Sequence, residues 1–146
     1  MIAVDTNLLV YAHRRDSEWH LPASEAVKAL AEGPASWAIP WPCVYEFYSI
    51  VTHPRIYDPP SAPAEALAQI QAWLGSPTLV LLAESAGYFA TLFELLRSSR
   101  PAGPKVHDAR IAALCLHTGV HELLSADRDF SRFPKLATRN PLVGRE

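Results

Sequence analysis

The stretch "MIAVDTNLLVYAHRR" (residues 1–15) breaks a short apolar run with an aspartate, adds two more polar residues, and only then resumes its apolar residues. Ile2 to Val4 is too short for anything but a buried strand, and Leu8, Leu9, Val10 and Tyr11 read as a helix beginning directly afterwards. Asp5 is therefore expected at the carboxyl end of a strand, where open parallel sheets bind their ligands. A structural role fits the same residues, because Asp5, Thr6 or Asn7 can cap the helix that follows.

Outward from this stretch, helix and strand patterns alternate. Ser24 is placed to cap a helix through Glu32, with Val27, Leu30 and Ala31 on one face and Gly33 as terminator. Residues 35–39 ("ASWAI") give a second strand, and Pro42 suits the first turn of a helix running to about Thr52. A proline-rich connection, "HPRIYDPPSAP", leads to a helix marked by Leu67, Ile70 and Leu74 that ends near Gly75. The run "TLVLL" (78–82) reads as a strand buried on both faces. Ser85 then stands where it can cap a helix whose Phe89, Leu92, Phe93 and Leu96 follow helical spacing. After the break at residues 98–105 comes a helix from about Val106 to Thr118, closed by Gly119. Residues 121–126 supply a fourth strand and Leu136 to Thr138 a short fifth. Such alternation predicts an α/β fold with a four- or five-stranded, mostly parallel sheet, flanked by helices through right-handed crossovers.

A chain of 146 residues is long enough to bury a core and suits a single domain over residues 1–146. No segment approaches the roughly 20 apolar residues of a membrane span. No charged region precedes the first apolar run, which Asp5 interrupts, so no secretory leader is expected and the protein reads as cytoplasmic. Cys43 and Cys115 lie in apolar helical patterns without C-x-x-C spacing, as buried thiols of a reducing compartment do. The net charge of −2 hides an asymmetry: residues 1–96 balance at −6 and residues 97–146 at +4. Basic residues of that last third, among them Arg97, Arg100, Lys105, Arg110, Arg128, Arg132, Lys135 and Arg139, can contact phosphates or stand as scattered solvated charges.

In a parallel sheet every strand's carboxyl end lies on one edge, so acids that follow strands converge there whatever their separation in sequence. Asp5 follows the first strand; Asp127 and Asp129, in "LLSADRDF", follow the fourth. In "KVHDARIAALCLHTG", Asp108 shares a helical stripe with Ile111, Ala112 and Cys115, the inward face. A first-turn acid favours the helix dipole on any face, which leaves its inward direction unexplained. Glu46 lies opposite the apolar face of Val44, Phe47, Tyr48 and Val51, in line with Ser49 and His53, so a solvated stripe is its default reading. Gathered carboxylates repel one another and take up protons unless neutralised. A divalent cation resolves this, and oxygen-only ligands suit Mg²⁺ or Mn²⁺. The six histidines show no zinc spacing, and His107 beside Asp108 reads as a surface or capping residue. Phosphate-loop, dinucleotide and nucleophile-elbow motifs are absent from the sequence. Metal-assisted chemistry on a phosphate ester is the reading that remains.

The order of acids in "VDTNLLVYA", "VYEFYSIVTHPR", "HDARIAAL" and "LLSADRDFSRFP" resembles the PIN-domain ribonucleases, specifically the VapC toxins of type II toxin–antitoxin pairs. The resemblance runs from Asp5 to about Pro134. It implies a PIN-like, Rossmann-like three-layer sandwich and a catalytic quartet of Asp5, Glu46, Asp108 and Asp127. Asp5, Asp108 and Asp127 would hold Mg²⁺ or Mn²⁺, Glu46 would orient or deprotonate the attacking water, and Asn7 and Ser125 would support the ligands. Asp129 could exchange with Asp127 by a two-residue shift; Asp127 is preferred as nearer the strand, leaving Asp129 to cap or turn "DFSRF". The implied activity is endonucleolytic cleavage of a specific transfer or ribosomal RNA loop, giving 5′-phosphate and 3′-hydroxyl ends. The implied partners are the RNA, a cognate antitoxin that blocks the site, and a second copy in a homodimer. Trp37, Trp41 and Trp73 adjoin apolar segments and are expected to pack rather than stack on bases.

Three rival readings stay open. A phosphatase of the haloacid dehalogenase type also ends its first strand in aspartate, but needs a second one where Asn7 stands. A PIN-domain nuclease that processes RNA without an antitoxin would share the acids. A non-catalytic RNA- or protein-binding module of the same fold would be expected to have lost one or more of them.

Overall fold

The computed structural model describes residues 1–143; the end of the predicted domain, residues 144–146, lies outside the described residues. Its elements run β1 (Ile2–Val4), α1 (Thr6–His13), α2 (His20–Glu32), β2 (Trp37–Pro40), α3 (Trp41–Val51), α4 (Pro63–Leu74), β3 (Leu79–Leu82), α5 (Tyr88–Ser99), α6 (Lys105–His117), β4 (Glu122–Leu124), a 3-10 turn (Arg128–Arg132) and β5 (Thr138–Arg139). All strand pairings are parallel, in the order β3-β2-β1-β4-β5. The upper end of the predicted four or five strands is realised.

This order makes β1 the centre of the sheet. The chain moves to β2 on one side and reaches β4 on the other, so the crevice beyond the carboxyl ends of β1 and β4 is the topological switch point. Register fixes what meets there: Val4 pairs with Leu124, and the Asp5 amide donates to the Leu124 carbonyl at 2.9 Å. The residues that follow both strands, Asp5 and Ser125, are thereby neighbours.

The central strands are buried because helices cover them; Ala3, Val4, Trp37, Ala38, Leu123 and Leu124 are all within 2% of complete burial. Apolar burial of this kind is worth about 25 cal/mol per Å² and holds the sheet edge rigid. Phe47 and Trp73 pack edge to face at 4.8 Å between α3 and α4. Phe130 and Phe133 are each 1% exposed and pin the 3-10 turn against the core. Trp37 and Trp73 are buried and Trp41 half-buried, in keeping with packing. Both cysteines are buried and free.

Several local expectations give way to tertiary structure. Residues 78–82 do not form a strand buried on both faces: β3 is the sheet's edge, and Val80 is 41% exposed. Ser24 does not cap α2, which begins four residues earlier at His20; the Ser24 hydroxyl donates to the Leu21 carbonyl inside the helix. Ser85 does not cap α5 either. Gly87 does, at φ +84°, a conformation that costs glycine little, while the Ser85 hydroxyl meets His117 Nε2 at 2.8 Å. Tyr88 and Leu95 are the residues of α5 that turn fully inward, and Phe89 and Phe93 remain exposed. The last two strands are shifted or shorter than expected, at Glu122–Leu124 and Thr138–Arg139. Among the described residues no helix is long and apolar enough to cross a membrane.

Candidate active site

Asp5 both ends β1 and caps α1, so its two readings coincide. Its Oδ1 accepts from the Thr6 amide at 2.8 Å, and its Oδ2 accepts from the Ser125 hydroxyl at 2.7 Å. Asn7 joins the far sides of this contact: its Nδ2 lies 3.5 Å from Asp5 Oδ2 and from Ser125 Oγ, and its Oδ1 accepts from the Ala126 amide at 3.2 Å. The Asp127 amide donates to Ser125 Oγ at 3.0 Å. Asn7 and Ser125 are therefore the residues that stitch the β1 end to the β4 end.

Asp5 is 5% exposed and forms no ion pair within the described residues. Burial pushes its pKa up to about 6; the bonds from Ser125 and Thr6 oppose this, and Glu46 and Asp108 add to it by like-charge repulsion. Asp108, half-buried in the first turn of α6, is also raised, by burial first and then by Asp127 and Asp129. A buried carboxylate facing other carboxylates is a costly arrangement that invites positive charge.

Glu46 does not belong to a solvated stripe. It is half-buried, and its Oε2 accepts from the Thr6 hydroxyl at 2.8 Å. The partner lies 40 positions away, so α3 periodicity carries no sign of it. Thr6 is thus a site residue that sequence reasoning missed: its amide holds Asp5 and its hydroxyl holds Glu46.

The two aspartates of "DRD" divide their work differently from the expectation. Asp127, not Asp129, caps the 3-10 turn, its Oδ1 accepting from the Asp129 amide at 2.8 Å. Asp129 instead forms an ion pair with Lys105, which holds its carboxyl below the usual range. Carboxylate oxygens of Asp108, Asp127 and Asp129 lie within 4.8 Å of one another, a group that does not include Asp5. The structure thus brings the four predicted acids to one edge in two linked parts. Asp5 and Glu46 lie inward around Thr6, Asp127 and Asp129 lie outward, and Asp108 is repelled by acids of both parts.

The donor set is all oxygen. Cys43 Sγ is 3.7 Å from Asp5 Oδ1, but burial raises its pKa well above the ordinary thiol value. Cys115 is pushed up to about 12, by burial and then by Asp5. Both therefore remain thiols at neutral pH and do not compete as soft ligands. Hard divalent cations fit the remaining carboxylates.

Half of the basic residues read as possible phosphate contacts are already paired: Arg97 with Glu94, Lys105 with Asp129, Arg110 with Glu84 and Arg139 with Glu122. Arg100, Arg128, Arg132 and Lys135 are exposed and form no ion pair within the described residues.

The PIN domain profile matches residues 2–136. Ribonuclease VapC48 of Mycobacterium tuberculosis is 31% identical over 140 residues, covering 96% of this chain and 97% of that protein. Among solved structures, VapBC2 from Rickettsia felis, bound to a DNA fragment from its promoter, superimposes with a TM-score of 0.69 at 20% identity. That match covers 96% of this chain and 98% of the other. The sarcin-ricin loop cleaving toxin VapC20 of Mycobacterium tuberculosis gives a TM-score of 0.65 at 18% identity, over 90% and 93% of the two chains.

Proposed function

This chain belongs to the PIN-domain family, alongside the VapC ribonucleases, and on that premise we propose that it is a divalent-metal-dependent endoribonuclease acting as the toxin of a toxin–antitoxin pair. The observation that carries the reading is the like-charge coupling of Asp5, Glu46, Asp108 and Asp127 at one sheet edge, with Asp5 buried, raised in pKa and in no ion pair within the described residues.

Asp5, Asp108 and Asp127 would hold Mg²⁺ or Mn²⁺, with Asp108 and Asp127 close to each other and Asp5 coupled to Asp108 by like charge, and the cation would supply Lewis-acid charge at the phosphate and acidify water. Ser125, Asn7 and the Thr6 amide keep Asp5 in one orientation, as partners behind metal ligands do. Thr6 occupies one oxygen of Glu46, leaving the other to accept a proton from water attacking phosphorus. As the water oxygen bonds to phosphorus, the bond from phosphorus to the 3′ oxygen breaks and the departing 3′ oxygen takes a proton from solvent water, giving 5′-phosphate and 3′-hydroxyl ends. Lys105 neutralises Asp129 and so removes one negative charge from the approach of the RNA backbone.

The substrate class is an exposed loop of structured cellular RNA, a transfer or ribosomal RNA, in keeping with the named activity of VapC20. The partners are a cognate antitoxin and a second copy of the chain. The VapBC assembly of the Rickettsia relative supports the first, and exposed Phe89 and Phe93, 6.0 Å apart on α5, offer apolar surface for such contacts.

The test is incubation of purified protein, freed of antitoxin, with total RNA from its host in Mg²⁺, Mn²⁺ or EDTA, with mapping of ends. Discrete cuts that require metal are expected; a folded protein that makes none is not this enzyme. Binding should also weaken with salt. If Arg100, Arg128, Arg132 and Lys135 each meet a phosphate, affinity for single-stranded RNA falls about 50-fold between roughly 50 and 200 mM salt. Salt-insensitive affinity would remove these residues from the interface.

A further inference from the structure

Beside the acids, α3 and α6 enclose a surface cavity of about 310 Å³ walled by Pro42, Tyr45, Glu46, His107 and Arg110. Glu46 is shared between this cavity and the carboxylate cluster, so whatever fills the cavity lies next to the reacting centre. Its size is near the lower end of ligand pockets, roughly 300–1,000 Å³, enough for one flat ring system rather than a folded RNA element.

Tyr45 is the wall that calls for explanation. It is 63% exposed, so its ring forgoes most of the burial that usually stabilises an aromatic residue. It is nevertheless held in place, because Trp41 one turn earlier on α3 stacks on it at 6.1 Å with a 23° tilt. The result is an oriented aromatic surface facing solvent. Across the cavity, Glu84 fixes Arg110 through contacts of 2.9 Å at Nε and 2.8 Å at a terminal guanidinium nitrogen. His107 completes that wall. An exposed ring and a fixed planar guanidinium form a pairing suited to an unpaired base and its adjoining phosphate.

We propose that the cavity between Tyr45 and Arg110 is a nucleobase subsite, in which an unpaired base flanking the scissile phosphate stacks on Tyr45 while the Arg110 nitrogen that Glu84 does not engage, Nη1, meets the phosphate or the base edge. Naming the ligand as RNA rests on the ribonuclease reading; the recognition itself rests on the geometry of α3 and α6. A paired base offers only its edge and cannot enter, so the subsite selects single-stranded or looped RNA. Stacking is tolerant of base identity, so the subsite sets strandedness and register more than sequence.

The test uses D5N protein in Mg²⁺, so that RNA is bound without turnover, titrated with a fluorescein-labelled single-stranded 12-mer and with its duplex. Adding Tyr45→Ala should weaken single-strand binding about ten-fold, Tyr45→Phe should restore it to within about two-fold, and duplex binding should stay unchanged. In otherwise wild-type protein, Tyr45→Ala should raise KM more than it lowers kcat. Equal single-strand affinity with and without Tyr45→Ala overturns the subsite, as does an equal loss for both RNA forms or no RNA binding at all. Tyr45-dependent binding together with no metal-dependent cleavage by wild type would instead remove the ribonuclease reading and leave the subsite standing.

Discussion

Asp5→Asn is expected to slow RNA cleavage by about three orders of magnitude while the protein stays folded. The substitution keeps the shape of a side chain that is 5% exposed. Its amide oxygen can still accept from the Thr6 amide, and its NH₂ can donate to Ser125 Oγ, a hydroxyl able to accept as well as donate. What disappears is the innermost negative charge of the cluster. Metal-assisted phosphoryl chemistry draws several kcal/mol of transition-state stabilisation from a correctly held cation, and about 4 kcal/mol corresponds to roughly 10³ in rate. Initial rates on a mapped RNA fragment, with circular dichroism to verify the fold, measure the effect. A loss below about ten-fold would place Asp5 outside the reacting centre.

In EDTA, the wild-type protein should lose stability as pH rises from about 4 to 7, through Asp5. Burial raises its folded pKa to about 6 from an ordinary value of 3.8. Below the ordinary value the carboxyl is protonated in both states and folding carries no penalty. Between the two values only the unfolded chain releases the proton, and above both the folded protein carries a buried anion at full cost. A shift of about two units corresponds to roughly 3 kcal/mol, or about 6–12 °C in melting temperature for a domain of this size. Ion pairs of exposed acids such as Asp16 and Glu84 act in the opposite direction, so the diagnostic quantity is the difference from Asp5→Asn. That difference should be near zero at pH 4 and favour Asn by about 3 kcal/mol at pH 7. Excess Mg²⁺ should reduce it by stabilising the ionised folded state. A pH-independent difference would falsify the account of Asp5 as an uncompensated buried carboxylate.

The two experiments separate functions that one side chain combines. A carboxylate present only to cap α1 would have a lowered pKa, so its stabilisation would be lost as pH falls, and its removal would have little effect on rate. A carboxylate kept at the switch point despite its burial cost should do the reverse, making the metal-free protein less stable at neutral pH and its loss catalytically expensive.

Local sequence pattern is enough to read the α/β class, the carboxyl-edge position of Asp5 and the inward face of Asp108. Each follows from a local pattern: an apolar run too short for a helix, a polar break at its end, and a helical stripe through Ile111, Ala112 and Cys115. Gly119 and the prolines near Pro42 and Pro63 mark helix ends by the same short-range logic. Tertiary structure alone decided the rest. Val80 is exposed because β3 lies at the sheet's edge, a position its apolar neighbours do not encode. Glu46 leaves the solvated stripe because Thr6, on another helix, reaches its carboxylate. Between the two aspartates of "DRD", Lys105 takes Asp129 while the turn amide takes Asp127, although their local sequence treats them almost alike. Side chains distant in sequence choose among carboxylates that local periodicity cannot distinguish, because hydrogen bonds and ion pairs act through space rather than along the chain.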